Sequence, residues 1–218
     1  MDKYVLFDLD GTVTDPEKGI TLCVAHALKH FGIETPELSA LRKFIGPPLL
    51  DSFMEFYGFS REKAAEAVEK YRERFSVTGI FENEPYPGIE RLLGGLKEAG
   101  CTLAIASSKP EVYTKRIIEH FELAPYFARV CGSELDGRRT DKAEVIAYAL
   151  DSLGSPAAEK VLMVGDRRHD VIGAKKNGIV SIGVLYGFGD ESELREAGAD
   201  HIAPTVHDVG VIVESIFK

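Results

Sequence analysis

A chain of 218 residues with 44% apolar side chains can bury a sizeable core, with room for one domain plus an insert or for two small domains. The formal net charge of −9 sets the average field against nucleic acid and anionic membrane, so no such partner is expected, although a local basic pocket stays compatible with it. The three cysteines, Cys23, Cys101 and Cys131, lie in apolar-periodic or strand-like surroundings without CxxC spacing, which predicts buried thiols. No apolar run approaches the ~18 residues of a membrane span, and the N-terminus lacks a basic segment followed by an apolar one. These features predict a soluble protein of a reducing cytoplasm; a monomer or weak homodimer is expected, though none of these features sets the oligomeric state.

In chain order, YVLFD at the start is a continuously apolar run and predicts a buried strand. From Gly19 to about Phe81 the period is helical: Ile20, Val24, Leu28 and Phe31 recur at three- and four-residue steps. Ala64, Ala67, Val68, Tyr71 and Phe75 do so behind a candidate N-cap at Ser60. From Pro87 onward, short apolar runs alternate with amphipathic segments. GIERLLGGLKEAG reads as helix, CTLAIAS as strand, PEVYTKRIIEHF as helix, ARVCG as strand and DKAEVIAYALDSL as helix. KVLMVGD, DVIGAKKNG, VSIGV and DVGVIVESIF continue the alternation. Strands that are apolar without a period of two belong to a parallel sheet covered on both faces. The expected organisation is an α/β core from residues 1–14 and 85–218, interrupted by a helical insertion over 15–84. Gly11–Thr12 and Pro85–Gly88 are candidate hinges.

In an open parallel sheet the C-terminal strand ends converge on one crevice. Polar residues line up there: Asp8 and Asp10 after YVLF; Ser107, Ser108 and Lys109 after LAIA; Asp166 after VLMVG, with Asp170 one turn on. Lys142 opens the helix after the ARVCG strand. Asp8, Asp10 and Asp166 would repel one another unless a cation sat between them, and all-oxygen ligation with room for water suits Mg²⁺. A dianionic phosphate could then be held by Lys142, by the Ser107 hydroxyl and by backbone N–H groups of the turn carrying Leu9, Gly11 and Thr12. A carboxylate nucleophile there forms an acyl phosphate. An EF-hand loop is the rival for DLDGTVTD, but it needs glycine sixth, Glu twelfth and flanking helices. Here Gly11 is fourth from Asp8 and a strand precedes.

With these motifs, DLDGT, the strand-end serine of LAIASSKP, the lysine of TDKAEVI and the acidic pair of GDRRHD, the chain resembles the haloacid dehalogenase superfamily. Within it, the likeness is to phosphoglycolate phosphatase-like members with an inserted helical cap. The resemblance implies a Rossmann-like parallel sheet, ordered 5-4-1-2-3 and flanked by helices, with the cap closing over the site. It makes Asp8 the nucleophile, Asp10 the general acid and base, and Ser107 and Lys142 the phosphoryl-binding pair. Asp166 becomes a magnesium ligand with Asp8 and the Asp10 carbonyl, and Asp170 supports Lys142 or a metal-bound water. The implied reaction is hydrolysis of a small phosphomonoester, phosphoglycolate and nucleotide among them. A sugar-phosphate mutase of the β-phosphoglucomutase type is the alternative, and a non-enzymatic binder is disfavoured because it would gain nothing from the full acidic set. Asp10 argues against dehalogenation, since halide leaves without a proton.

Some residues stay open. Lys109 either approaches the substrate or decorates a loop. Arg138 and Arg139 read as a solvated turn, and His169 as a surface residue or one behind the site. In LRKFIGPPLLDSF, Arg42, Lys43 and Gly46, Pro47 and Pro48 either break a helix or touch the leaving group.

Overall fold

The computed structural model describes residues 2–218. The chain forms two compact units, one from Met1–Thr14 with Pro85–Lys218 and the other from Asp15–Glu84. Strand β2 (Thr14–Asp15) pairs with β3 (Glu84–Pro85) where the chain passes between them.

The first unit is built on a six-stranded sheet. Its strands are β1 (Lys3–Phe7), β4 (Cys101–Pro110), β5 (Phe127–Ser133), β6 (Val161–Gly165), β7 (Val180–Val184) and β8 (His201–Ala203), in the order β5-β4-β1-β6-β7-β8. Every pair is parallel. The first five strands stand in the order the resemblance implies. β8 adds an edge strand the apolar pattern does not announce, because three residues are too few to show a run.

The central strands are apolar on both faces because both are covered. Leu6, Ala104, Ala106 and Met163 pack with Val145, Ile146 and Ala149 of α6 (Lys142–Ser152) and Ala174 of α7 (Arg168–Lys176). The alternate residues Val5, Phe7, Leu103, Ile105 and Val164 point the opposite way and are equally buried. That side of the unit carries α4 (Ile89–Glu98), packed on β4 and on α9 (Val206–Ile216). α5 (Glu111–His120) and α8 (Glu191–Ala197) complete the unit.

Register decides where the strands stop. Phe7 lies beside Ile105 of β4 and Val164 of β6, so the next residue, Asp8, emerges between two neighbouring strand ends. Its amide still donates to the Val164 carbonyl, at 2.9 Å.

The second unit is helical: α1 (Glu17–His30), α2 (Leu49–Tyr57) and α3 (Arg61–Phe75), with 3₁₀ turns at Leu38–Phe44 and Gly79–Phe81. Val24, Ala27 and Leu28 of α1 and Ala64, Ala67 and Tyr71 of α3 are buried. An aromatic group of Phe31, Phe44, Phe53 and Phe59 fills the rest, with ring centroids 5.0–6.1 Å apart. Ser60 caps α3, its hydroxyl accepting from the Lys63 amide at 3.3 Å. Among the described residues no helix is long and apolar enough to cross a membrane.

Candidate active site

The strand ends of β1, β4 and β6 carry the charged groups, and each is set by a local device. After β1 the chain turns at once: the amides of Thr12, Val13 and Thr14 all donate to the Leu9 carbonyl, and that of Gly11 to the Thr14 carbonyl. Gly11 has φ +84°, and a Cβ there would stand 2.1 Å from the Asp166 carboxylate, so only glycine lets this turn close against Asp166.

Lys142 sits at the start of α6, whose N-cap Asp141 accepts from the Ala143 amide at 2.7 Å. Its Nζ reaches Asp8 Oδ1 at 2.8 Å and Asp170 Oδ1 at 2.8 Å, and donates to the Ala106 carbonyl at 3.1 Å. Three partners match the three protons of an ammonium. Asp170 is held in turn, its Oδ2 accepting from the Arg167 amide at 3.0 Å at the start of α7. Asp166 is fully buried, and its Oδ2 accepts from the Phe188 amide at 2.8 Å. The carboxylates of Asp8, Asp166 and Asp170 each offer an oxygen within 4.8 Å of the others.

β4 behaves unexpectedly. Ala106 pairs with Cys131, but the next pairing is Pro110 with Ser133, so β4 advances four residues while β5 advances two. The surplus arches out as Ser107–Lys109, a bulge of the kind that re-aims side chains at sheet ends. Ser107 is buried and its Oγ accepts from the Lys109 amide at 3.4 Å. The Lys109 ammonium pairs with Asp10 Oδ2 at 2.7 Å, its side chain only 6% exposed. Lys109 therefore belongs to the charged group and does not decorate a loop.

The electrostatics expose a deficit. Asp8, Asp10, Asp166 and Asp170 are all buried, and the buried ammonium groups facing them are those of Lys109 and Lys142. If all four carboxyls are ionised they exceed the two ammonium groups by two negative charges, which one divalent cation would balance. The carboxyls register this. Burial pushes Asp166 well above the usual carboxylate range, with Asp170 and Asp8 adding to it. Burial likewise lifts Asp170 to about 6 against the pull of Lys142, and raises Asp10 against that of Lys109. For Lys142, burial works to lower the pKa, but Asp170 and Asp8 outweigh it and the ammonium is favoured. Asp166 Oδ1 and Asp10 Oδ1 are buried with no hydrogen-bond partner. An orphaned carboxylate oxygen beside two further acidic groups fits a bound cation.

The structure thus gathers Asp8, Asp10, Ser107, Lys109, Lys142, Asp166 and Asp170 in the first unit. It corrects several readings. The Gly11 and Thr12 amides donate inside the turn, to the Thr14 and Leu9 carbonyls, so these two residues shape the loop instead of presenting N–H groups to a phosphate. The Asp10 carboxylate goes to Lys109, which leaves the implied role of the Asp10 carbonyl untouched, and Asp170 stands as a third acidic group beside Asp8 and Asp166. The Ser108 carbonyl accepts from the Ser133 hydroxyl at 2.8 Å, giving that residue a role in holding the bulge. Arg139 is not solvated: it pairs with Glu134 at 2.7 Å and lies 3.7 Å over the Tyr148 ring. Arg138 does stand in solvent, beside Asp136. His169 is half-buried, and burial together with Arg168 and Arg167 lowers its pKa, so its ring is neutral near pH 7.

Arg42, Lys43, Gly46, Pro47 and Pro48 lie in the second unit. There Lys43 stacks over Phe56 at 4.5 Å and Arg42 pairs with Glu17 at 2.7 Å. Pro48 is the N-cap of α2, so a helix boundary accounts for the Gly-Pro-Pro run.

Sequence reasoning missed the loop after β7. Tyr186 donates its hydroxyl to the Thr12 carbonyl at 3.1 Å, and Phe188 supplies the amide on Asp166. The only signal was YGFG, two glycines bracketing the residue whose N–H is used.

A parallel sheet with carboxylates, a hydroxyl and an ammonium gathered at its strand ends has the layout of a ligand-binding crevice of an open α/β fold. The family model described as haloacid dehalogenase-like hydrolase matches residues 5–184, and the chain belongs to that family. It stands among the family's phosphatases. It is 51% identical to a 5'-nucleotidase of Pseudomonas aeruginosa over 97% of this chain and 95% of that protein. It is 41% identical to the tyrosine-protein kinase PtkA of Mycobacterium tuberculosis over 86% of this chain, which spans 63% of that protein. Among solved structures, a predicted phosphatase from Clostridium acetobutylicum superposes with a TM-score of 0.95 at 49% identity, covering 99% of each chain.

Proposed function

We propose that the protein hydrolyses small phosphate monoesters with Mg²⁺, carrying the phosphoryl group transiently on Asp8. The observation that carries this is the two-charge deficit around an Asp8 held by Lys142. Asp8, Asp166 and the Asp10 carbonyl would hold Mg²⁺, which would neutralise phosphoryl oxygens and let an anionic nucleophile approach a dianion. Lys142 and the Ser107 hydroxyl bind the remaining phosphoryl oxygens.

The Asp8 carboxylate attacks phosphorus. The bond from phosphorus to the ester oxygen breaks, and Asp10 protonates that leaving oxygen. Asp10, now a carboxylate, takes a proton from a water that attacks the phosphorus of the acyl phosphate. The bond between phosphorus and Asp8 breaks, releasing inorganic phosphate and restoring both carboxyls. Burial that raises the Asp10 pKa favours the protonated form its first step needs.

Selectivity among esters is assigned to the helical unit of residues 15–84. A nucleoside 5'-monophosphate is the first class to test, because the relative at 51% identity is named for it, and phosphoglycolate is the second. A reducing cytoplasm suits three buried cysteines that form no disulfide.

A panel of phosphate esters tests the reading. Phosphate release should require a divalent cation, with Mg²⁺ better than Ca²⁺, whose looser coordination shell misplaces the nucleophile. Undiminished activity in excess chelator overturns the metal assignment. β-Glucose 1-phosphate with a bisphosphate primer should give hydrolysis without isomerised sugar; glucose 6-phosphate forming faster than phosphate would install the mutase instead.

A further inference from the structure

The β4 bulge needs an explanation of its own, because an arch of three residues at the end of a central strand has lost its ladder partners. What holds it lies on β5. Gly132 presses directly on the arch: a Cβ there would stand 2.6 Å from the Lys109 carbonyl oxygen and 2.6 Å from Glu111 Cα. The next residue, Ser133, donates its hydroxyl to the Ser108 carbonyl at 2.8 Å. The Gly132 peptide is gripped at both ends. Its N–H donates to Glu111 Oε2 at 3.3 Å, and its carbonyl accepts from Arg139 Nε at 2.9 Å.

Arg139 is built for that grip. Its NH2 donates to Glu134 Oε1 at 2.7 Å and its guanidinium lies 3.7 Å over the Tyr148 ring of α6, leaving one edge for the Gly132 carbonyl. Its backbone has φ +56°, a conformation that costs energy for a side-chain-bearing residue and persists only where the surroundings enforce it. A solvated turn would have no reason to hold a strained, stacked arginine on a glycine carbonyl.

We propose that Arg139 is a positioning residue. By clamping Gly132 it fixes the Ser107–Lys109 arch, and so places the Ser107 hydroxyl on the phosphoryl group and Lys109 on Asp10. The proposal rests on the phosphatase reading above and on the role given there to Ser107.

A double-mutant cycle on the full chain with an aryl phosphate and Mg²⁺ tests it. Arg139→Ala should lower kcat/KM about 10- to 100-fold, the cost of misplacing a binding group by an ångström or so. The loss should include a rise in KM as phosphate affinity falls. Arg139→Ala in a Ser107→Ala background should cost several-fold less than in the wild type, because the arch then has no hydroxyl to misplace. Arg139→Lys keeps a cation for Glu134 but not the planar fork, so it should fold and show the same non-additivity. Arg138→Ala, altering an exposed pair, should leave kcat and KM unchanged. Fully additive losses, or an Arg139→Lys enzyme with wild-type kcat and KM, overturn the positioning role while leaving the phosphatase reading intact. Wild-type activity in Ser107→Ala overturns the Ser107 assignment and this inference with it.

Discussion

Both units contain ion pairs at 2.6–2.9 Å, yet the pairs differ in kind. In the helical unit Lys70–Glu73 and Arg72–Glu69 lie along an exposed helix face, with the carboxylates more than half exposed. In the α/β unit Lys142–Asp8, Lys142–Asp170 and Lys109–Asp10 are nearly sealed, with side chains at most 12% exposed. Water screens the first set, so neither charge depends on its partner. The second set has no water to fall back on, and removing one member leaves an uncompensated charge. The exposed helix pairs are surface charge, while the sealed pairs of the α/β unit hold charge where a reaction can use it.

The sharpest way to break this comparison is at Asp8. Asp8→Asn should abolish both turnover and phosphoenzyme, since an amide oxygen is a poor nucleophile. Residual phosphorylation, read as added mass or hydroxylamine-labile phosphate, would show that the buried charge is structural.

Lys142 comes next. Lys142→Ala should cost orders of magnitude in kcat, and Lys142→Arg should recover little, because a planar fork cannot meet three partners around one compact ammonium. Lys109→Ala, which removes the ion pair to Asp10 and leaves the Lys142 contacts in place, should cost less. The reverse order would mean that the wrong lysine has been placed on the phosphoryl group.

Asp10→Asn should lower kcat for an alkyl ester by roughly 10²–10⁴-fold, the usual worth of a positioned acid and base. With an aryl ester, whose phenolate leaves unprotonated, the variant should still phosphorylate Asp8 and show a burst in rapid mixing. Equal loss with both esters would reduce Asp10 to a metal-site residue.

In the helical unit the large effects should come from packing. Phe53→Ala empties the centre of the aromatic group and should cost about 3–5 kcal/mol of stability in denaturant unfolding. Ser60→Ala removes one cap and should cost ~1 kcal/mol. Lys70→Ala, at the exposed end of the comparison, should leave the melting temperature unchanged. A clear drop there would show that surface pairs in this unit carry more than their solvent exposure allows.

Much of the site could be read from the chain because its groups are tied to short-range devices. Asp8 and Asp166 follow apolar runs, Asp170 is N3 of α7, and Lys142 is the first residue of α6 behind an Asp N-cap. What misled was also local. The Gly11 turn reads as a phosphate-binding loop, but its amides are used within the turn, and only long-range contact shows that Gly11 is there to admit Asp166. Arg139 reads as solvated because its partners, Gly132, Glu134 and Tyr148, come from a strand end, a loop and a helix.

The sequence by itself determined the layered α/β class, the helical insertion pattern and the acidic and basic residues at strand ends, since hydrophobic period and capping act within a few neighbours. Tertiary structure alone decided which charges meet. Lys109 finds Asp10 across 99 positions of chain, and the Phe188 amide finds Asp166 from the loop after the next strand. The Ser107–Lys109 arch exists only because β4 and β5 fall out of step. Such partnerships follow from register between strands distant in sequence, and register is settled by burial of the whole sheet, which no local window contains.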